Sequence, residues 1–243
     1  MYTEFVKKLK AVCNKKRLSL KIMGYAGKNK EYPLYIVSNN AKKPSAAVCF
    51  SAGIHGDEIA GSFAVLEFIK KHNFSNFKNI KIILIPVANP TGFDKCKRCN
   101  YLNKDLNGLF CKKVLSGENK LIYFSIKNSK IIFFHALHED VDEKSFYLYN
   151  FEKKQEQIYR DIIKEAKQYF PINTAEKIYN DSALNGMIIN RKDGSFEDRM
   201  FRDGVPYSMC TETPGKQPLK KRVELNRIIM EMALGFAYSQ IKK

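Results

Sequence analysis

Short runs of apolar residues alternate along this chain with longer amphipathic stretches, and the two periods predict two kinds of element. Pro33 to Ser38 and Ala46 to Ser51 have the Val-, Ile-, Tyr- and Phe-rich composition of short buried strands. Ile80 to Val87 (IKIILIPV) is continuously apolar, as in a strand covered on both faces, and Ile131 to Leu137 is a second such run. Phe146 to Tyr149 and Val205 to Thr211 read as further strands. Between them, Glu58 to Lys71 places Ile59, Phe63, Leu66 and Ile69 near helical spacing and ends on Lys70 and Lys71. Ser116 to Ile126, with Ser116 as its cap, Lys153 to Tyr169 and Pro218 to Ile241 are the other predicted helices. Asn89-Pro90-Thr91-Gly92 breaks the apolar pattern, and Asp94 to Cys111 is polar and irregular, the kind of loop that often carries function. No repeat, linker or low-complexity block interrupts the chain. Alternating strands and helices predict one α/β sandwich over residues 1–243, with a mixed, mostly parallel sheet.

A chain of 243 residues suits one such domain and can bury a full core without staples. The net charge of +17 comes from lysines scattered along the chain, the pattern of a solvated surface. No nucleic-acid motif accompanies the charge, so a small substrate rather than nucleic acid is the expected partner. Met1 to Arg17 has no apolar stretch of signal length, and no run approaches the roughly 20 apolar residues of a membrane span. The six cysteines are therefore expected as reduced thiols of a cytoplasmic protein. Cys96 and Cys99 with Cys111 lack a convincing fourth ligand for a structural zinc site.

The candidate chemistry starts at Ser51-Ala52-Gly53-Ile54-His55-Gly56-Asp57-Glu58. Here a strand end turns into a helix and can point His55 and Glu58 at one place. An imidazole and a carboxylate are two of the three protein ligands of a His₂Glu catalytic zinc site. Only His72, His135 and His138 remain to complete it. His72 follows two lysines at a helix end, where a cation suits the helix dipole. His135 and His138 sit at a strand's carboxyl end, where open α/β sheets bind ligands. His138 leaves the strand beside Glu139-Asp140, whose carboxylates could orient it. His135, deeper in the run, reads as packed or as a supporting group. Hydrolysis also needs a proton carrier and an oxyanion donor. Glu212, ending an apolar strand, and Arg98, in the irregular loop, are candidates for these.

In chain order these residues resemble the zinc carboxypeptidase family (peptidase family M14), with its succinylglutamate desuccinylase and aspartoacylase relatives. Gly53-Ile54-His55-Gly56-Asp57-Glu58 is similar to the His-x-x-Glu metal motif. Asn89-Pro90-Thr91-Gly92, Arg98-Cys99-Asn100 and Asp105-Leu106-Asn107 look like the family's Arg-x-Asn-x-x-Gly-x-Asp-Leu-Asn-Arg loop. Leu137-His138-Glu139-Asp140 resembles the third-ligand segment, and Thr211-Glu212-Thr213-Pro214 the segment of the catalytic glutamate. The resemblance implies one zinc ion per chain on His55, Glu58 and His138. It also implies Arg98 at the oxyanion, Asn107 on the substrate, and Glu212 as general base and then acid. Two positions depart from the pattern. Asn103 replaces the loop glycine, which is tolerable because asparagine accepts left-handed backbone. Gly108 replaces the arginine that grips a substrate carboxylate, leaving Arg191, Arg199 and Arg202 as candidates for that task.

Three functions are compatible with this reading. The first is a zinc-dependent amide hydrolase of carboxypeptidase type, acting on a short peptide or a peptidoglycan-derived peptide. The second is an N-acyl amino acid deacylase of aspartoacylase type. The third is a binding module of the same fold without catalysis. Tyr147 and Tyr207 are candidates for a substrate-contacting tyrosine.

Overall fold

Eight strands form a single twisted sheet in the computed structural model, which describes residues 1–153 and 156–241. The strands are β1 (Ser19–Ala26), β2 (Tyr32–Ser38), β3 (Ala46–Ala52), β4 (Ile80–Ile85), β5 (Ile131–Asp140) and β6 (Tyr147–Phe151), with β9 (Met187–Ile189) and β10 (Tyr207–Pro214) completing the sheet. A separate two-stranded ribbon joins β7 (Lys177–Ile178) to β8 (Asp181–Ser182). The sheet order is β1-β2-β4-β3-β5-β10-β6-β9. The central β4, β3, β5 and β10 are parallel, and antiparallel neighbours β2 and β6 flank them.

The central strands are apolar throughout because both faces are covered. Along β3, Val48, Phe50 and Ala52 turn to one face and Ala47 and Cys49 to the other. The first face packs against α1 (Tyr2–Lys15), α2 (Ile59–Lys71), α5 (Gln157–Ala166) and α7 (Leu219–Gln240). The second packs against α4 (Gly117–Ile126) and α6 (Phe196–Arg202), and α3 (Pro90–Lys95) follows β4 at the sheet's carboxyl end. Phe68 of α2 is fully buried against Phe50 of β3, with ring centroids 5.8 Å apart. Truncating such a side chain to alanine costs ~3–5 kcal/mol.

The predicted sandwich with a mixed, mostly parallel sheet is the observed one. Several elements differ in extent. β5 continues three residues past Leu137 because β10 pairs with it as far as Pro214↔Asp140. The break at Asn89 is a helix start. Asn89 caps α3 by accepting from Gly92 N at 2.9 Å, and Pro90 takes the first helical position. Ser116 stands at the cap position of α4 but makes no side-chain cap bond. The helix predicted from Lys153 spans Gln157–Ala166, and positions 154–155 of that prediction lie outside the described residues. α1, β1, α6 and the short strands β7, β8 and β9 were not anticipated.

Candidate metal centre

β3 ends in a turn that its glycines make possible. Gly53 adopts a left-handed φ of +63°, and a side chain on Gly56 would overlap the Gly92 backbone at the start of α3. The chain then enters α2 with Glu58 as N-cap, one residue before the first helical position. The α2 N-terminus is closed from outside: Glu139 Oε2 accepts from Ala60 N at 2.7 Å, and its other oxygen pairs with Arg222. His55 and Glu58 thereby project from one rigid corner.

Sheet register supplies the other groups. In the parallel pairing of β5 with β10, His138 lies directly beside Glu212, and Glu212 lies opposite Tyr147 in the antiparallel pairing with β6. His138, Glu212 and Tyr147 therefore form one row across three strands, on one face, at the carboxyl end of the central sheet. They line a cleft of about 520 Å³ together with His55, Glu58 and Arg98.

The Glu58 carboxylate stands between the two histidines. Its Oε1 lies 2.5 Å from His55 Nδ1 and its Oε2 lies 2.9 Å from His138 Nδ1, and all three side chains are 3% exposed. Burial disfavours a charge on either imidazole, but the adjacent carboxylate outweighs it. The pKa of His55 rises to about 9, with help from Asp105, and that of His138 also rises. Burial would raise Glu58, yet the two imidazoles hold it below the usual carboxylate range. Asp105 Oδ1 accepts from His55 Nε2 at 3.1 Å, which leaves Nδ1 as the nitrogen facing Glu58. Two imidazoles and one carboxylate, with ligand atoms within 4.8 Å of one another, suit a divalent metal. The donor set is that of zinc sites with an open position, not the all-oxygen shell of calcium or magnesium.

A family model for the succinylglutamate desuccinylase/aspartoacylase catalytic domain matches residues 44–143. The chain is also similar to a solved structure from Shewanella amazonensis, a provisionally named metallopeptidase. The two share 30% sequence identity and a TM-score of 0.89, over 96% of this chain and 92% of that one. This chain belongs to the zinc carboxypeptidase family, near its succinylglutamate desuccinylase/aspartoacylase relatives. Two more distant structures share the fold. One is a metallo-carboxypeptidase from Burkholderia cenocepacia, at 14% identity and a TM-score of 0.72, over 98% of this chain and 68% of that one. The other is a succinylglutamate desuccinylase/aspartoacylase from Rhodobacter sphaeroides, at 15% identity and a TM-score of 0.61, over 88% of this chain and 63% of that one. No curated protein matches the sequence. The family is one of hydrolases.

The family loop places Arg98 on the cleft wall. Its Nε donates to Asp105 Oδ2 at 3.0 Å, and its Nη1 lies 3.4 Å from Glu58 Oε1. Asn89 anchors that loop, donating from Nδ2 to the Arg98 carbonyl at 3.1 Å. Asn107 lines the same cleft, with its side-chain oxygen accepting from Phe196 N at 3.2 Å. Asn103, at the family's glycine position, adopts φ +55°. Gly108 also faces the cleft, with no atom near where a side chain would start. Of the three arginines considered in its stead, only Arg191 lines the cleft. Arg199 binds Asp203, Tyr123 and the Phe110 carbonyl, and Arg202 binds Asp198. Burial pushes Glu212 up to about 8, opposed by His138 and reinforced by Glu58.

Three expectations need correction. His72 is no cation at a helix end. Its ring stacks on Phe68 at 4.6 Å and burial lowers its pKa, so it is a packed neutral imidazole. Neither carboxylate after His138 orients it: Glu139 caps α2, and Asp140 accepts from the Tyr147 and Tyr179 hydroxyls, each at 2.7 Å. Tyr207, partly buried, packs against Phe236 and Phe133 at the edge of the core, whereas Tyr149 and Tyr179 line the cleft. His135 is packed, as expected, with Nε2 2.8 Å from Thr211 Oγ1. Among the described residues Cys96, Cys99 and Cys111 join no metal-holding group, but Cys210 stands with His138 and Glu212. Cys210 and the Asp105 contact went unread because each depends on strand register or on a partner 50 residues away.

Proposed function

We propose that residues 1–243 form a single catalytic domain, a zinc-dependent hydrolase that cleaves an amide bond in a short peptide or a peptidoglycan-derived peptide. His55, Glu58 and His138 hold one zinc ion per chain. The observation that carries this reading is the register that sets Glu212 beside His138, next to the buried His/Glu/His cluster. A proton carrier adjacent to a zinc-type donor set is what amide hydrolysis requires and what simple binding does not. The six thiols stand unpaired, in keeping with a cytoplasmic site of action.

Bound zinc would supply Lewis acidity, polarising the scissile carbonyl and acidifying water. The protein's own groups do the rest. Glu212, held near neutrality by burial, takes a proton from the attacking water and delivers it to the leaving nitrogen. Arg98, half-exposed on the wall and steadied by Asp105, donates to the carbonyl oxygen as negative charge develops there. Asn107 keeps its amide N–H for substrate while its oxygen is tied to Phe196. Asp105 holds His55 in one tautomer.

A second reading, an N-acyl amino acid deacylase, is favoured by the family match over residues 44–143 and by glycine at position 108. Zinc content per chain, with hydrolysis of murein tripeptide and tetrapeptide compared against N-acyl amino acids, tests the proposal. One zinc and peptide cleavage are expected. Cleavage of N-acyl amino acids alone would move the chain to the second reading, and a zinc-free, inert protein would defeat both.

A further inference from the structure

A second cleft, of about 590 Å³, lies at the amino end of the parallel strands, away from the metal centre. Three loops bound it: residues 16–18 after α1, 39–42 after β2, and 74–79 before β4. Its volume is that of small-molecule sites, roughly 300–1,000 Å³. Four cationic side chains line it, Lys16, Arg17, Lys42 and Lys78, and no carboxyl group among the described residues does.

Several cations elsewhere have carboxylate neighbours: Lys7 pairs with Glu4, Lys70 with Glu67, Lys71 with Glu224, and Arg227 with Glu224 and Glu231. Among the described residues Arg17, Lys42 and Lys78 pair with none, and Lys16 donates to a backbone oxygen, the His72 carbonyl, at 3.1 Å. The loops that carry them are tied together. Asn40 Nδ2 donates to the Arg17 carbonyl at 2.7 Å, and Asn39 Nδ2 donates to the Ile80 carbonyl at 3.0 Å. Arg17 also holds a left-handed φ of +54°, so a guanidinium stands where the end of a helix favours glycine. Like charges gathered round one concavity create a positive potential that an anion relieves.

The number of cations and the aromatic rings beside them define that anion. A single phosphate carries about −1.5 to −2 charges and would meet half of the four cations, whereas a di- or triphosphate meets the set. Phe74 and Phe77, half-buried, offer ring surface to the same cleft, on which a planar base can stack. Cations converging on one pocket, rather than running in a stripe, suit a small polyanion better than a nucleic-acid strand.

We propose that this cleft binds a small organic polyphosphate, a nucleoside di- or triphosphate. Its phosphates meet Lys16, Arg17, Lys42 and Lys78, and its base lies against Phe74 and Phe77. The site shares no lining residue with the metal cleft, so it stands or falls independently of the hydrolase reading.

The test uses the full-length zinc-loaded protein, with ATP, AMP, adenosine and inorganic tripolyphosphate as probes and binding followed by calorimetry. ATP should bind about tenfold or more tighter than AMP and tripolyphosphate, and adenosine should bind most weakly. Arg17→Gly removes the guanidinium while relieving the left-handed backbone, so the fold is kept. It should weaken ATP binding about tenfold, the lower end for a charge-assisted contact because Arg17 is exposed. Lys42→Gln combined with Lys78→Gln, both at exposed positions, should weaken it at least as much. Imidazole resonances locate the ligand, since phosphates can also bind zinc. The His72 ring touches those of Phe74 and Phe77, with centroids 5.1 and 5.0 Å apart, whereas His55 and His138 line the metal cleft. ATP should move the His72 signal and leave His55 and His138 in place. Movement of His55 and His138 alone would assign binding to the metal centre and overturn the proposal. So would ATP binding no tighter than AMP or tripolyphosphate, affinity unchanged in Arg17→Gly, or oligothymidylate binding more tightly than ATP. The expected ATP results in a protein that hydrolyses no peptide would remove the hydrolase reading and leave this site standing.

Discussion

Asp105→Asn isolates what a carboxylate outside the ligand set does for the metal centre. In the native protein one oxygen of Asp105 lies 3.1 Å from His55 Nε2 and the other lies 3.0 Å from Arg98 Nε. A single carboxylate therefore sets the His55 tautomer and restrains Arg98. Asparagine has the same shape but offers one acceptor and one donor. If its oxygen stays on His55, its NH₂ group meets the guanidinium; if the amide turns, NH₂ meets the imidazole N–H. One contact is lost in either orientation, along with the negative charge that raises the pKa of His55. Losing such a partner costs ~10- to 100-fold in metal affinity. Asp105 is 41% exposed, so water screens its charge and the lower end applies: about tenfold, or ~1.4 kcal/mol. Competition with a chromophoric chelator for zinc at pH 7 measures the difference. Affinity within about twofold of wild type would refute the claim that Asp105 prepares His55 for metal.

Glu212→Gln should lower kcat by ~10²–10⁴ while zinc remains bound, as read by elemental analysis beside a peptide-hydrolysis assay; equal activity would remove Glu212 from the mechanism. Arg222→Met leaves the buried Glu139 carboxylate without its cation, and urea denaturation should register a loss of ~3–5 kcal/mol. A loss under about 1 kcal/mol would mean that the pair behaves as a solvated one. Burial depresses His135 to about 3, so in acid the unfolded chain takes up a proton that the folded one refuses. The stability this group contributes is complete above about pH 6.5 and falls as pH drops toward 3, by ~5 kcal/mol in all. His135→Gln should flatten that slope in denaturation curves from pH 7 to pH 4, and an unchanged slope would place the acid sensitivity elsewhere.

The parts legible in the sequence are those that local pattern encodes. The apolar run IIFFHALH announced a strand covered on both faces and brought two histidines to its end, and the turn Gly53-Ile54-His55-Gly56 placed a ligand pair ahead of a helix. His55, Glu58, His138, Glu212, Arg98 and Asn107 all line one cleft. What was not legible depends on tertiary partners. Glu139 looked like an orienting group for His138 because it is next in sequence, but alternation along β5 sends it to the opposite face, where it caps α2. His72 looked like a terminal cation because the aromatic rings around it come from separate turns. The start of α3 was written in Asn89-Pro90, a cap followed by proline at the first helical position, a signal equally readable as a break.

The most direct test of the metal centre is anomalous diffraction at the zinc edge from crystals of the full-length protein grown with zinc. A single strong peak bounded by His55 Nδ1, Glu58 and His138 Nδ1, within bonding reach of all three at ~2.0–2.2 Å, is the predicted result. A peak confined to Cys96, Cys99 and Cys111, or none beside Glu58, would contradict it.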